Sequence, residues 1–385
     1  YDGLSYSGGN GVNYSGFVNS ETVSVLGGSL NYGGTAQGAK NAGNYTLTAS
    51  GQTSSNYNIA YIDSALNIGK AHLTVTADNQ SRLYGAANPT LTTTVSGFVN
   101  GETLATSGVT GSGSGTTTAT SSTGVGTATI TAGFGTLAAS NYDFTMLNNG
   151  TLTIDKANLT VTTNAASKTY DGLSYSGGNG VAYSGFVNSE TASDLGGSLN
   201  YGGSAQGAIN AGNYTLTASG LTSGNYNIAY VDSALTIDKA HLTVTADDKA
   251  RLFGYPNPTL TTTVSGFVNG ETASVLSGVT ASGSGTNAGS YNVVASGTDS
   301  NYNLTLNNGL LTIDKANLTV TANAASKTYD GLTYSGGNGV AYSGFVNSET
   351  ESVLGGSLNY GGTAQGAKNA GNYTLTAAGQ TSGNY

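Results

Sequence analysis

The sequence predicts an all-β chain, a series of immunoglobulin-like β-sandwich modules joined end to end into an elongated rod. Three observations carry this expectation. One motif recurs five times, the apolar pattern between its copies has a period of two, and no flexible spacer separates successive copies.

The motif is SGFVN(S/G)ET, with phenylalanines at Phe17, Phe98, Phe186, Phe267 and Phe345, spaced 81, 88, 81 and 78 residues apart. These hold five of the eight phenylalanines of the chain, so each copy marks one module. The modules are expected at 1–70, 71–156, 157–239, 240–315 and 316–385, the outer two being partial copies. Two types alternate. The first carries Tyr-Asp-Gly, at Tyr1, Tyr170 and Tyr329, running into a Gly-Gly-Asn-Gly cluster. The second carries RLYGAANPTL from Arg82 to Leu91 or RLFGYPNPTL from Arg251 to Leu260, and holds all the prolines (Pro89, Pro256, Pro258). Within the second type, 71–156 has a longer Thr/Gly-rich loop over 112–126. It also has Thr127 where 240–315 has Tyr291, a departure that bears on how that module packs.

Segments such as 213–218, 225–230 and 242–245 alternate bulky and polar residues, which is the mark of strands with one buried face. Val, Ile, Thr and Tyr dominate them, as strand propensity requires. Residues 142–154 read as a hairpin around Asn149-Gly150, and 301–313 repeat the layout. Roughly six or seven such runs per module fit an immunoglobulin-like sandwich, and no stretch makes a helix. The expected core of one module is Phe186, Tyr214, Tyr226, Leu235 and Ile237. The recurrent anchors across modules are the five motif phenylalanines with Tyr45, Tyr214, Tyr373, Tyr170 and Tyr329. At each join a strand ending in lysine (Lys70, Lys156, Lys239, Lys315) runs directly into the next module's first strand, so rotation between modules should be restricted.

Composition narrows the function. Sixty glycines in 385 residues is about twice the usual share, and 8% charged residues is about a third of it. A net charge of −9 argues against nucleic acid and against an anionic membrane surface. With no cysteine, disulfides and thiol chemistry are excluded. No apolar run reaches the length of a membrane helix.

Sites of chemistry are sparse. His72 and His241 share one repeat position on a polar strand face, without a convergent partner. Asp238, Asp247 and Asp248 lie near a join, but Gly69 and Asn79 replace two of them in another copy, leaving too few carboxylates for calcium. Lys168 and Lys327 could form isopeptide crosslinks assisted by Glu190 and Glu349, although exposed lysines at strand ends are the simpler reading. The GGNG and GSGSG clusters read as turns with positive φ, and Asp171 as an Asx turn before glycine. No catalytic, cofactor-binding or metal-binding residue is assigned, no cofactor is expected, and the chain is not expected to be an enzyme.

At KTYDG, SGFVN(S/G)ET, RLYG..NPTL and LTIDKA the chain resembles alternating YDG and MBG (mostly-β, glycine-rich, YGX type) modules of large bacterial surface proteins similar to filamentous haemagglutinin-like adhesins. The resemblance covers essentially all 385 residues. It implies an immunoglobulin-like stalk at the cell surface or outside the cell, with no catalytic residues to carry over. The expected partners are the other modules of the same chain, with matrix polysaccharide or like fibres as further partners, and neither nucleic acid nor membrane insertion in this segment. The first functional expectation is a spacer. Low-affinity multivalent polysaccharide binding and self-assembly into a filament are the alternatives.

Overall fold

The computed structural model describes residues 1–385. The chain is all-β, with 28 strands and four single-turn 3-10 helices. Every sheet closes within one module. The chain divides into two compact units, one of residues 1–162, 181–199 and 219–231, the other of residues 163–180, 200–218 and 232–385.

Module 240–315, inside the second unit, shows the plan. Strand Ala240–Ala246 is buried at every second residue, as its Ala-His-Leu-Thr-Val-Thr-Ala alternation dictates. It lies in a three-stranded sheet, antiparallel to Thr262–Ser265 and parallel to Tyr302–Asn307. The chain then crosses to a four-stranded sheet as Lys249–Leu252, parallel to Gly309–Asp314, which also pairs antiparallel with Gly289–Ser296. Thr280–Ser282 forms the outer edge. Between the sheets Val244, Ala246, Phe253, Val293, Ala295, Leu311 and Ile313 form one core. Each of these is at most 4% exposed, so the alternating pattern alone places the sandwich interior.

Module 71–156, inside the first unit, has the same seven strands and the same order. Ala128, and not Thr127 as the sequence comparison implied, takes the tyrosine position within strand Gly126–Gly133: it faces Leu152 as Tyr291 faces Leu311, and the sheet forms without the ring. The longer loop turns inward: Ala119 is buried in the core, Asn88 Nδ2 donates to its carbonyl, and Arg82 Nη2 donates to Thr120 O. Module 157–239 again has seven strands; its three-stranded sheet lies in the first unit and most of its four-stranded sheet in the second.

The expected hairpin at 142–154 does not form. Tyr142–Asn148 pairs with Ala71–Ala77 in one sheet, and Gly150–Asp155 pairs with strands of the other. Asn149 is thus a crossing between sheets, and its Oδ1 accepts from Ala132 N at 3.1 Å. Gly150 serves proximity here: a Cβ would sit 2.5 Å from Ala77 O, where the chain makes its other crossing. Asn308-Gly309 repeats this, with Ala246 O at 2.4 Å from the glycine's would-be Cβ. The acidic residues at the companion crossing brace it. Asp247 accepts from the Thr261 and Thr263 hydroxyls, which hold its carboxyl below the usual range, and Asp248 Oδ1 accepts from Leu310 N at 2.7 Å. The GSGSG cluster is also only partly a positive-φ turn. Gly111 is left-handed, whereas Gly113 has the Thr93 side chain within 2.4 Å of a would-be Cβ.

Gly150→Ala should destabilise module 71–156 by about 1–3 kcal/mol through overpacking at the crossing. Native-state hydrogen exchange at Ile130 and Leu152 reads this out, and unchanged protection there would refute the crossing's role.

Candidate functional site at the module junctions

The motif SGFVN(S/G)ET forms a tight turn. Its Asn and the following Ser or Gly both have positive φ, as at Asn188 (54°) and Ser189 (62°), and the Glu190 N–H returns to Val187 O at 3.0 Å. The turn thereby holds valine on one side and a glutamate carboxylate on the other. At the start of a later strand of the same module, Tyr226 sends its hydroxyl to Glu190 Oε2 and accepts from Val187 N at 3.0 Å. The second carboxylate oxygen takes a hydroxyl from the preceding module, Tyr84 of the Arg-Leu-Tyr-Gly motif. One carboxylate thus joins two phenols across the junction.

The arrangement recurs. Glu102 accepts from Tyr1 at 2.6 Å and Tyr142 at 2.7 Å. Glu271 accepts from Tyr170 and Tyr302, each at 2.5 Å. At the fourth junction Glu349 accepts from Tyr385 at 2.6 Å, and the preceding module offers Phe253, which has no hydroxyl. The rings still meet there: Phe253 and Tyr385 are edge-on at 5.6 Å. In each junction the central tyrosine lies edge-on between its own motif phenylalanine and the neighbour's ring, as with Phe186–Tyr226 at 5.6 Å and Tyr84–Tyr226 at 5.7 Å.

Glycine lets the two turns close. In the second module type the residue after the ring is Gly85 or Gly254, at φ 81° and 90°, where a Cβ would lie 2.3 and 2.5 Å from the Val187 and Val346 side chains. In the Tyr-Asp-Gly type the glycine comes two residues after the ring, at Gly3 or Gly172, against Asn100 and Asn269 at 2.7 and 2.8 Å. Asp171 makes the expected Asx turn, accepting from Leu173 N at 2.9 Å.

Each module's first residue is bonded, within its own module, to the asparagine that faces the preceding module. Ala157 N donates to Asn225 O, and Ala71, Ala240 and Ala316 donate likewise to Asn141, Asn301 and Asn384. These asparagines reach back with their side chains, accepting from Ala42, Val125, Ala211 and Ala288 N–H of the preceding modules. The terminal lysines cap the join: Lys70, Lys156 and Lys239 donate to Ala139, Ser223 and Asp299 carbonyls at 2.9, 2.8 and 2.7 Å, and Lys315 to Ser382. Beneath them apolar clusters span the joins. Leu152 and Ile154 pack with Ala157, Leu159, Val161 and Tyr226 in one cluster, and Leu235 and Ile237 with Ala240, Leu242 and Tyr302 in another.

The predicted anchors take distinct places. Phe17, Phe98, Phe186, Phe267 and Phe345 are half-buried beside the central tyrosines. Tyr45, Tyr214 and Tyr373 bond back to the Asn41, Asn210 and Asn369 carbonyls four residues earlier, a tyrosine-corner device. Tyr170 is a junction residue and 5% exposed, whereas Tyr329 at the same motif position is 64% exposed. Lys168 and Lys327 pair with Asp171 and Asp330 at 2.6 and 2.9 Å, and Glu190 and Glu349 are taken up by tyrosines away from them. His72 bonds Asp143 and its side chain is 69% exposed. No group of three or more His, Asp or Glu side chains gathers in the chain.

The junction resists ionisation of its phenols. The bond to Glu271, then burial, push Tyr170 up to about 12 from 10.0. Burial, then the bond to Glu190, push Tyr226 up to about 12. Because the folded values lie above the unfolded one, this stabilisation is complete below pH 10 and is lost as pH rises towards 12. Alkaline unfolding should therefore set in above pH 10, earlier in Glu271→Gln than in the parent, measured by circular dichroism. Tyr84→Phe should cost its junction about 1–2 kcal/mol, and Phe253→Tyr should stabilise the fourth junction by a similar amount. Gly85→Ala should cost at least about 2 kcal/mol, from left-handed strain together with the clash at Val187. Hydrogen exchange at Leu159 and Val161 checks the Tyr84 and Gly85 variants, and exchange at Val346 and Tyr385 the Phe253 variant.

Among solved structures, the chain has a likeness to the M60 catalytic domain with the CBM51-1 and CBM51-2 domains from Clostridium perfringens ZmpB, at 10% identity and a TM-score of 0.16. The match covers 82% of this chain and 42% of that one. No curated protein matches significantly. The MBG domain (YGX type) family matches five times, at residues 4–67, 73–153, 159–236, 242–312 and 318–385, treating the Tyr-Asp-Gly and Arg-Leu-Tyr-Gly modules alike. The chain is a tandem array of five members of the MBG domain (YGX type) family.

Proposed function

We propose that this array is the spacer region of a secreted bacterial adhesin or extracellular fibre, with no enzymatic role. The observation that carries the reading is the repeated junction. Each join combines a carboxylate–phenol bridge or its aromatic remnant, a lysine cap, an asparagine stitch and shared apolar core. Such joins fix one module against the next through side chains anchored on the neighbour's backbone. The two motifs that recur most strictly, the aromatic-glycine turn and SGFVN(S/G)ET, are the two halves of that join. The residues that recur from module to module are thus those that connect modules, as expected where length and stiffness are the product. Surface localisation belongs to the same proposal, supported by the resemblance to large adhesins.

Polysaccharide binding through the recurrent tyrosines is the weaker reading. Tyr84, Tyr142, Tyr226 and Tyr302 are at most 4% exposed, and their rings meet aromatic neighbours, so they offer no free face to a sugar.

Electron microscopy of the chain tests the proposal. Particles of constant end-to-end length are expected, and Tyr84→Phe combined with Glu190→Ala should introduce a bend at one fixed position. Collapsed particles of variable length in the parent would overturn the spacer reading, and a strong glycan-array signal from this chain alone would favour carbohydrate binding.

A further inference from the structure

Every ring pair of the chain that joins two tyrosines lies at a module junction: Tyr1 with Tyr142, Tyr84 with Tyr226, and Tyr170 with Tyr302. Their centroids are 5.3, 5.7 and 5.4 Å apart, edge-on. In each pair the two hydroxyls bond the two oxygens of one glutamate, Glu102, Glu190 or Glu271. One carboxylate thus gathers both phenol oxygens, and with them the Cε carbons that flank those oxygens, on either side of the seam. Tyr142, Tyr226 and Tyr302 are held further by the N–H of Val99, Val187 and Val268. The chain has 25 tyrosines and no cysteine, so a redox crosslink within it would fall to tyrosine.

We propose that the junction tyrosine pairs are sites of oxidative crosslinking, at which a one-electron oxidant converts each pair into a dityrosine that joins adjacent modules covalently. Each phenol gives one electron to the oxidant and its hydroxyl proton to the glutamate. The glutamates are half-buried, so that proton passes on to solvent. The two phenoxyl radicals then form a Cε–Cε bond, and the hydrogen on each of these carbons moves to its ring's oxygen, restoring both hydroxyls. Two tyrosines and two equivalents of oxidant give one dityrosine, two equivalents of reduced oxidant and two protons. A hydrogen bond to an ionised acceptor is of the stronger kind, and the same acceptor is the base that makes electron loss easier. The fourth junction is a built-in control, since Phe253 and Tyr385 stand edge-on at 5.6 Å with one hydroxyl between them. The proposal rests on the junction geometry and holds whether or not the array is a spacer.

The test treats the whole chain, dilute enough to suppress crosslinks between chains, with photogenerated tris(bipyridyl)ruthenium(III) and maps the products by peptide mass spectrometry. Linked peptides lighter by two hydrogens are expected for 84–226, 170–302 and 1–142, with blue dityrosine fluorescence, and none should join Phe253 to Tyr385. Tyr84→Phe should abolish the 84–226 product and leave the other two. Glu190→Gln should lower the 84–226 yield about fivefold or more against the other two pairs, because an amide takes up no proton. Phe253→Tyr should create a fourth product, 253–385. Oxidation confined to exposed tyrosines such as Tyr255, Tyr329 and Tyr373, with the junction pairs unlinked, would overturn the proposal. Parent yield in Glu190→Gln, or no new product in Phe253→Tyr, would overturn it equally.

Discussion

The bond between one glutamate and two tyrosines, drawn from adjacent modules, is the constraint on which the repeat depends. A carboxylate has two oxygens, and the turn that carries Glu190 aims one at Tyr226 of its own module and the other at Tyr84 of the module before. The same geometry therefore closes the module and docks its neighbour. Tyr226 is fixed further by the Val187 N–H, which ties the ring to the turn that presents the acid. Hydrogen bonds to a charged acceptor are the stronger kind, and here they are made by phenols that are themselves part of the apolar core. Glu102, Glu190 and Glu271 are each used twice.

Glycine follows from the same requirement. Two tight turns must approach until a valine or asparagine side chain rests where a Cβ would be, and only glycine allows that at φ near 80°. The crossings inside each module add a second demand, since Gly150 and Gly309 face the carbonyls of Ala77 and Ala246. A glycine-rich composition, which in other chains accompanies disorder, here marks close backbone approach.

Much of this was legible in the sequence. Period-two alternation located the strands, as at 240–246, and the unbroken Lys-Ala joins located the seams. Recurrence flagged Phe186, Tyr170 and the glutamates as important without revealing the bond. Tyr84 and Glu190 are 106 residues apart, and no local pattern pairs them. A clue was present: an aromatic-glycine turn in one module is always followed by a glutamate turn in the next. The Asn149-Gly150 pair misled because Asn-Gly favours hairpins in isolation, whereas tertiary pairing sent its flanking strands to different sheets. Lys70, Lys156 and Lys239 marked the joins in the sequence but their capping role did not show, because their carbonyl partners lie some 60 to 70 residues on in the following module.

The two Arg-Leu-(Tyr/Phe)-Gly modules show how the junction tolerates loss. Module 240–315 keeps Tyr291, whose hydroxyl bonds Asn287 O, and Asn287 in turn accepts from Asn384 of the next module. It has given up the phenol oxygen at Phe253 and kept only the edge-on ring. Module 71–156 has done the reverse. It keeps the hydroxyl of Tyr84 but has Ala128 for the corner tyrosine, and its longer loop takes over the work. Ser121 O accepts from Gly85 N at 3.2 Å and from Asn188 Nδ2 of the next module at 3.1 Å. Arg82 holds that loop in place through Thr120 O, as Arg251 does through Gly285 O. Each module has thus lost one polar contact at its exit and retained another, while apolar continuity and the lysine cap are present in both. The hydrogen bonds at a junction are individually replaceable, and the close approach that glycine permits is kept at Gly85 and Gly254 alike.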